Sequence, residues 1–331
     1  MKLTSAGVTR RSATGRRNPR VLPRFGCHGL RVFLNRYSAM VLAVSLLPLA
    51  YAGTDDRSEW NRLQKRAEAG DVAAQNRLGD AYLNGSGVAV DYKAAIAWYL
   101  RAAGKGSAEA EYNLGIMYLT GRGAARDPKQ AFGWFRKAAE SGEKMAQCNL
   151  GALYEQGLGV ARDTAKAATW FLASARQGDA MCQYNVGVQY MDGAGVPRDV
   201  GEARRWLDLA ARQGYAAAQY KLGWLYANGE DSVHDLREAA YWFRQAARQG
   251  EAMSLYALGL MAANGEGIGQ DPVAAFALLS VSASGGYEGA IEARKQLEAT
   301  MTAGEVRRGQ DFAANWAKNK EALLNQLQDQ P

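Results

Sequence analysis

The sequence predicts an all-α solenoid, in which 36-residue helix-turn-helix repeats stack in register and a C-terminal capping helix closes the stack. Three observations carry the prediction. Glycines recur at 79, 115, 151, 187, 223 and 259, each preceded by Leu or Val, at a constant spacing of 36. Aromatic residues keep the same phase: Tyr82, Tyr118, Tyr154, Tyr190 and Tyr226 follow the glycine by three, and Trp98, Trp134, Trp170, Trp206 and Trp242 come later in each copy. The six copies run without insertion or deletion, and a fixed period of this length marks an array of supersecondary units.

The array is preceded by a leader, residues 1–52. It holds nine Lys and Arg and no acid, and it accounts for the whole formal charge of +7. Beyond it stand 31 Lys and Arg against 33 Asp and Glu, a net charge of −2, so the body carries no phosphate-tracking surface and no nucleic-acid partner is expected. The run Ala39–Ala50 is apolar, basic before and small-residue after, which is the pattern of a secretory signal cleaved after Ala52. A periplasmic or secreted protein is expected, without membrane insertion after cleavage; the alternative is an inner-membrane anchor formed by an uncleaved signal. The run is short for a bilayer span. The basic stretch ahead of it is long for a signal, as an upstream start codon would make it.

Residues 53–301 form the repeat region, and each copy reads as two helices. In the first, Ala110, Leu114, Tyr118 and Gly121 share one face. Gly115 beside Leu114 removes a side chain where another helix must come close, because glycine inside a helix otherwise costs about 1 kcal/mol. The loop Gly121–Gly123 ends this helix. Asp127 then caps the second helix, as Asp91, Asp163, Asp199, Asp235 and Asp271 do in the other copies, and Pro128 and Pro272 occupy a first helical position that favours proline. Ala131, Trp134, Phe135, Ala138 and Ala139 make the second apolar face, and Gly142 stops the helix. A lone hairpin cannot bury such faces; stacked copies can. After the repeats, Thr302 and Glu305 spell a capping box, and one long helix over 303–328 is expected to seal the stack as part of a terminal segment, 302–331.

These residues carry a resemblance. The spelling Ala-x-x-x-Leu-Gly-x-x-Tyr-x-x-Gly-x-Gly, followed by the capping Asp and by Ala-x-x-Trp-Phe-x-x-Ala-Ala-x-x-Gly, is similar to the Sel-one-like repeat family, a relative of the tetratricopeptide repeats, over about residues 57 to 300. The ending Met301-Thr302, with Glu305, Gln310 and Trp316, resembles the family's terminal helix. The resemblance implies a right-handed superhelix whose concave surface, lined by the first helices, holds a protein partner, and it implies no enzymatic activity.

A stripe on the first helices is not committed to the core pattern. Asn113, Asn149, Asn185 and Lys221 stand one residue before each Leu or Val, and Ile116, Val188, Trp224 and Leu260 one residue after each Gly. The two columns are three residues apart and share a face. The amides suit the backbone of an extended peptide, and the apolar residues, Trp224 foremost, suit its side chains. The alternative is a solvated helix surface with Trp224 packed on a neighbour. A further column, Tyr112, Tyr184, Tyr220 and Tyr256, is expected to pack between helices.

Chemical signals are sparse. Ser141 and Lys144 match a Ser-x-x-Lys motif but straddle the turn between units, and no Lys-Thr-Gly or Ser-Asp-Asn accompanies them. The two histidines are His28, in the leader, and His234. In the fifth unit Glu230, Asp231, His234 and Asp235 have ligand chemistry, yet a polar loop with Asp235 as helix cap is the expectation, and neither metal nor cofactor is expected. Three cysteines exclude a disulfide-dense scaffold. Cys148 and Cys182 lie on first helices of adjacent units, two residues out of phase; they can face each other as a disulfide, but two buried thiols are the favoured expectation. The reading is a non-catalytic, exported scaffold for a protein or peptide partner. The alternative is a cell-wall-active or β-lactam-binding hydrolase; the plentiful Asp and Glu also leave a paired-carboxylate hydrolase open.

Overall fold

The computed structural model describes residues 56–229 and 234–327. Their regular elements are helices and, among the described residues, no strand occurs. They fall into two compact units, one ending at Ser254 and one beginning at Leu255. The leader and the candidate ligands Glu230 and Asp231 lie outside the described residues.

In the first unit α1 (Asp56–Glu68) precedes five hairpins: α2 (Val72–Asn84) with α3 (Tyr92–Ala103), α4 (Ala108–Thr120) with α5 (Pro128–Glu140), α6 (Lys144–Gln156) with α7 (Thr164–Arg176), α8 (Ala180–Asp192) with α9 (Val200–Arg212), and α10 (Ala216–Asn228) with α11 (Leu236–Arg248). Through α10, each helix packs on the one before and the one after it in sequence. The local causes follow the expected code. Asp127 Oδ1 accepts from the Lys129 and Gln130 amides at 3.0 Å, and its own N–H donates to Tyr118 O at 2.8 Å, so one residue starts a helix and binds the end of the previous one. The bonds from the Gln130 amide and side chain, with that of the Lys129 amide, hold its carboxyl below the usual range. Gly121 and Gly123 turn the chain with φ of 75° and 79°.

Packing is set by the mid-helix glycines. A Cβ on Gly115 would stand 2.7 Å from the Phe135 ring, and one on Gly151 2.7 Å from the Phe171 ring. The same approach recurs at Gly79 with Tyr99, Gly187 with Leu207 and Gly223 with Phe243. The large residue at the centre of each hairpin is therefore the one after the Trp, fully buried at Tyr99, Phe135, Phe171, Leu207 and Phe243. Of the Trp column only Trp242 is buried. Trp98 and Trp134 sit at the margin of the packing, with Arg101 and Lys137 over their rings at 4.5 Å and 4.4 Å. Tyr99, alone in its column in carrying a hydroxyl, donates it to Asp80 Oδ1 at 2.6 Å.

A polar spine runs between the hairpins. Gln147, Gln183 and Gln219 donate from Nε2 to the carbonyls of Ala139, Ala175 and Ala211, at 3.3, 3.2 and 3.1 Å. Their Oε1 atoms accept from Gln177, Gln213 and Gln249, at 2.8, 2.7 and 2.9 Å. Each buried amide thus fills a carbonyl that a helix C-terminus leaves open and ties one repeat to the next. Glu111 stands in the same column, 7% exposed, and an ionised carboxylate cannot donate to a carbonyl.

In the second unit, α12 (Ala252–Asn264), which starts at the division, precedes α13 (Pro272–Ser284), and α13 packs on both α14 (Glu288–Glu298) and α15 (Ala303–Ala314). The capping box of Thr302 and Glu305 is formed. The single helix expected over 303–328 is corrected to two: α15 ends before Asn315, at φ −106° and ψ 27°, and α16 (Trp316–Gln326) follows. Asn315 Nδ2 donates to Asp311 O at 3.0 Å, a local bond that competes with helix continuation. After the break, Gln326 Nε2 reaches the capping carboxylate of Asp271 at 3.0 Å. Gly309 lets α15 approach Phe276, where a Cβ would come within 2.7 Å of the ring.

Two predictions follow from this packing. Gly115→Ala should destabilise the protein by about 1–3 kcal/mol through overpacking against Phe135. Gly133→Ala, inside α5 with nothing within 4 Å of its added carbon, should instead be neutral or stabilising by up to about 1 kcal/mol. Denaturant midpoints of the two variants decide it. Burial raises the Glu111 carboxyl above its ordinary range, with Lys137 opposing and Glu140 reinforcing. A carboxyl raised in the folded state favours folding at low pH and loses that contribution as pH rises through its folded value. Glu111→Gln, which restores the donor, should add about 1 kcal/mol at pH 7 and little below pH 4, as read from unfolding curves at the two values.

Candidate partner-binding face

The expected stripe lies on α4, α6, α8, α10 and α12, and its members differ in access. Asn113, Asn185, Val188 and Trp224 are half-buried. The side-chain amides of Asn113 and Asn185 have no hydrogen-bond partner among the described residues. Trp224 packs partly on the cluster of Leu207, Leu222 and Trp242. The other four are buried. Asn149 is 4% exposed, donates to Met145 O at 3.1 Å and is bonded to the Tyr112 hydroxyl. Ile116 joins the core around Phe135, and Leu260 is buried in the second unit. Lys221 is 6% exposed. The tyrosine column packs as expected, with Tyr184 on Tyr215 at 5.4 Å and Tyr256 on Tyr287 at 4.8 Å. Tyr215 and Tyr287 occupy helix-cap positions without a capping side-chain bond, and the Ala218 and Ala290 amides donate instead to their main-chain carbonyls, at 3.0 Å and 3.1 Å.

A set of polar residues on α6, α8 and α10 escapes the column reading. Gln189 falls in a column otherwise filled by Ala81, Met117, Leu153, Leu225 and Met261, and Glu155 in one filled by Leu83, Leu119, Met191, Ala227 and Ala263. These two exceptions meet: Gln189 Nε2 donates to Glu155 Oε1 at 3.5 Å, the long limit of such a bond. Gln189 is 3% exposed, and its Oε1 has no partner. Lys221, on the next first helix, has no hydrogen-bond or ion-pair partner among the described residues. Burial lowers its ammonium pKa, and the field of Asp192 opposes that shift. Burial raises the carboxyls of Glu155 and Asp192; the Gln189 bond and Arg162 counter it at Glu155, and Lys221 and Arg198 counter it at Asp192. The signal available in the sequence was the polar exception inside an apolar column.

The favoured expectation of two thiols is corrected: Cys148 on α6 and Cys182 on α8 form a disulfide, with Cα atoms 6.0 Å apart. The two-residue phase difference is what brings neighbouring first helices to bonding distance. Asp179 lies beside them, but the sulfurs are bonded to each other and its Oδ1 accepts from Cys182 N at 2.7 Å. No helix among the described residues is long and apolar enough to cross a membrane.

Hairpins repeated without interruption around a fixed spine define a helical-repeat scaffold. The Sel1 repeat family matches residues 72–107, 108–143, 144–179, 180–215, 216–251 and 252–287, and the chain belongs to this family, whose members typically mediate protein interactions. The structure is similar to that of c5321, a protective antigen of uropathogenic Escherichia coli strains displaying an SLR fold, with 33% identity over 78% of this chain and a TM-score of 0.71. The match covers 56% of that antigen, so the chain spans little more than half its length. It is also similar to a Sel1 repeat protein from Oxalobacter formigenes, with 29% identity over 70% of this chain and 96% of the other, and a TM-score of 0.65. Comparison with curated proteins gives no match.

The disulfide closes a sequence separation of 34 residues. Replacing both cysteines by serine should cost about 2–4 kcal/mol, and reductant should lower the melting temperature of the parent protein but not of the variant.

Proposed function

We propose that this protein is an exported, non-catalytic scaffold that holds a protein or peptide partner along the face lined by its first helices. The observation that carries the reading is the set of half-buried Asn113 on α4, Asn185 and Val188 on α8 and Trp224 on α10, with free amides among them, on hairpins held in register by the glutamine spine. Amides without internal partners can pair with a peptide backbone, and the apolar members can seat its side chains. Export, with cleavage after Ala52, is supported by the basic leader and its apolar run, and by a disulfide of the kind that persists in oxidising compartments. Membership of a family of interaction scaffolds supports the non-catalytic part.

The test is photocrosslinking in the native host. A photoreactive residue at Asn185 or Trp224 should capture the same protein from the cell envelope, and one at Leu209, exposed on the second helix α9, should not. Capture from Leu209 alone would place the partner on the opposite helices and end this reading.

A further inference from the structure

We propose that the position two residues before each repeat's Leu or Val is a gate: a tyrosine there withdraws the side chain one repeat on, whereas Asn76 and Cys148 leave Asn113 and Asn185 free to hold an extended segment of the partner at two points. The inference rests on the reading above and assigns which amides bind. Tyr112 on α4 and Tyr184 on α8 fill the gate position. The Tyr112 hydroxyl is bonded to the Asn149 side chain, and Asn149 is 4% exposed. Lys221, which follows Tyr184 at the same offset, is 6% exposed. The exceptions are Asn76 on α2 and Cys148 on α6. The residues that follow them at this offset are Asn113 and Asn185, which are half-buried and have no side-chain partner among the described residues. Each exception lacks a hydroxyl to offer. Asn76 Nδ2 donates to Ser107 Oγ at 2.8 Å and to Glu109 Oε2 at 2.7 Å, so its amide is occupied at the start of α4. Cys148 is joined to Cys182, which stands where other copies carry Ala or Ser. That bond ties α6 to α8, as the contact of Tyr184 on Tyr215 ties α8 to the start of α10, and it leaves Asn185 unbonded.

Two free amides in one column, two repeats apart, select the occupant. Helices in contact lie about 8–10 Å apart, so Asn113 and Asn185 are separated by roughly 20 Å, the span of about six extended residues. A side-chain amide offers a donor and an acceptor without charge, which matches a main-chain peptide group. On α6, between the two, the half-buried Ala152 is small enough to leave the segment's backbone room. Val188, one turn beyond Asn185 on α8, seats an apolar side chain. Glu109, exposed one turn before Asn113 on α4, disfavours a carboxylate there, so the segment is an internal stretch of the partner rather than its C-terminus.

The probe is a phage-displayed library of random dodecapeptides panned against the full chain. Asn113→Ala and Asn185→Ala should each weaken the selected binder by about tenfold. The gate is tested with Asn185 in place. Cys148→Tyr combined with Cys182→Ala installs the residues that other copies carry and should weaken binding by a similar factor. Cys148→Ala combined with Cys182→Ala also lacks the disulfide, yet should bind as the parent does. Helicity and denaturation midpoints confirm that both variants fold. A reading without ligand comes from hydrogen exchange by NMR, in which Tyr112→Phe should speed exchange of the Asn149 side-chain amide severalfold. Equal binding by the tyrosine and alanine variants, or unchanged Asn149 exchange, overturns the gate; should the tyrosine variant fail to fold, the Asn149 exchange decides it. Unchanged affinity in either asparagine variant, or failure to retain any peptide, overturns the two-point seat. Each of these outcomes leaves the broader reading to the crosslinking result, and only capture from Leu209 alone removes both.

Discussion

The architecture depends on one close approach, repeated every 36 residues, between a glycine in a first helix and a large side chain in the second. At Gly115 the missing Cβ is the space that the Phe135 ring occupies. Had any residue with a side chain stood there, the helices would separate and the alanine-rich faces at Ala131, Ala138 and Ala139 would lose their contacts. The loop lengths, the aspartate caps and the register of the spine all presuppose that separation. Interiors packed this closely are repeated with little variation because each hairpin is the template for the next.

Much of this was legible in the residues. Glycine and aspartate columns give helix ends directly, since a left-handed turn and an amide-binding carboxylate are local requirements that one residue meets. The depth of a side chain is a different matter. Trp134 and Phe135 are adjacent and equally apolar, and only the direction of the second helix decides that the ring of Phe135 goes under Gly115 while Trp134 stays at the margin under Lys137. The break at Asn315 was hidden for a related reason: the capping box of Thr302 starts a helix and says nothing of its length. Asn149 looked like its neighbours in the column, but the hydroxyl of Tyr112 draws it inward.

The candidate face was only half legible. Asn185, Lys221 and Trp224 stand out because the eye follows columns that are polar or aromatic. Gln189 and Glu155 were missed because they interrupt columns that are otherwise apolar, and an interruption is visible only after the rule is known. Their meeting spans 34 residues, the same separation as Cys148 and Cys182, so residue type and not spacing is what hid it.

The disulfide joins α6 to α8, the two helices that carry Glu155 and Gln189. Covalent linkage about two turns away on each helix fixes the gap between them in advance. For a partner of the kind proposed above, this part of the surface would not need to be stiffened on contact, so the ordering entropy that usually weakens recognition by mobile segments would be largely absent. The mark of such a rigid dock would be slow release, with residence set by fit and arrival left to diffusion.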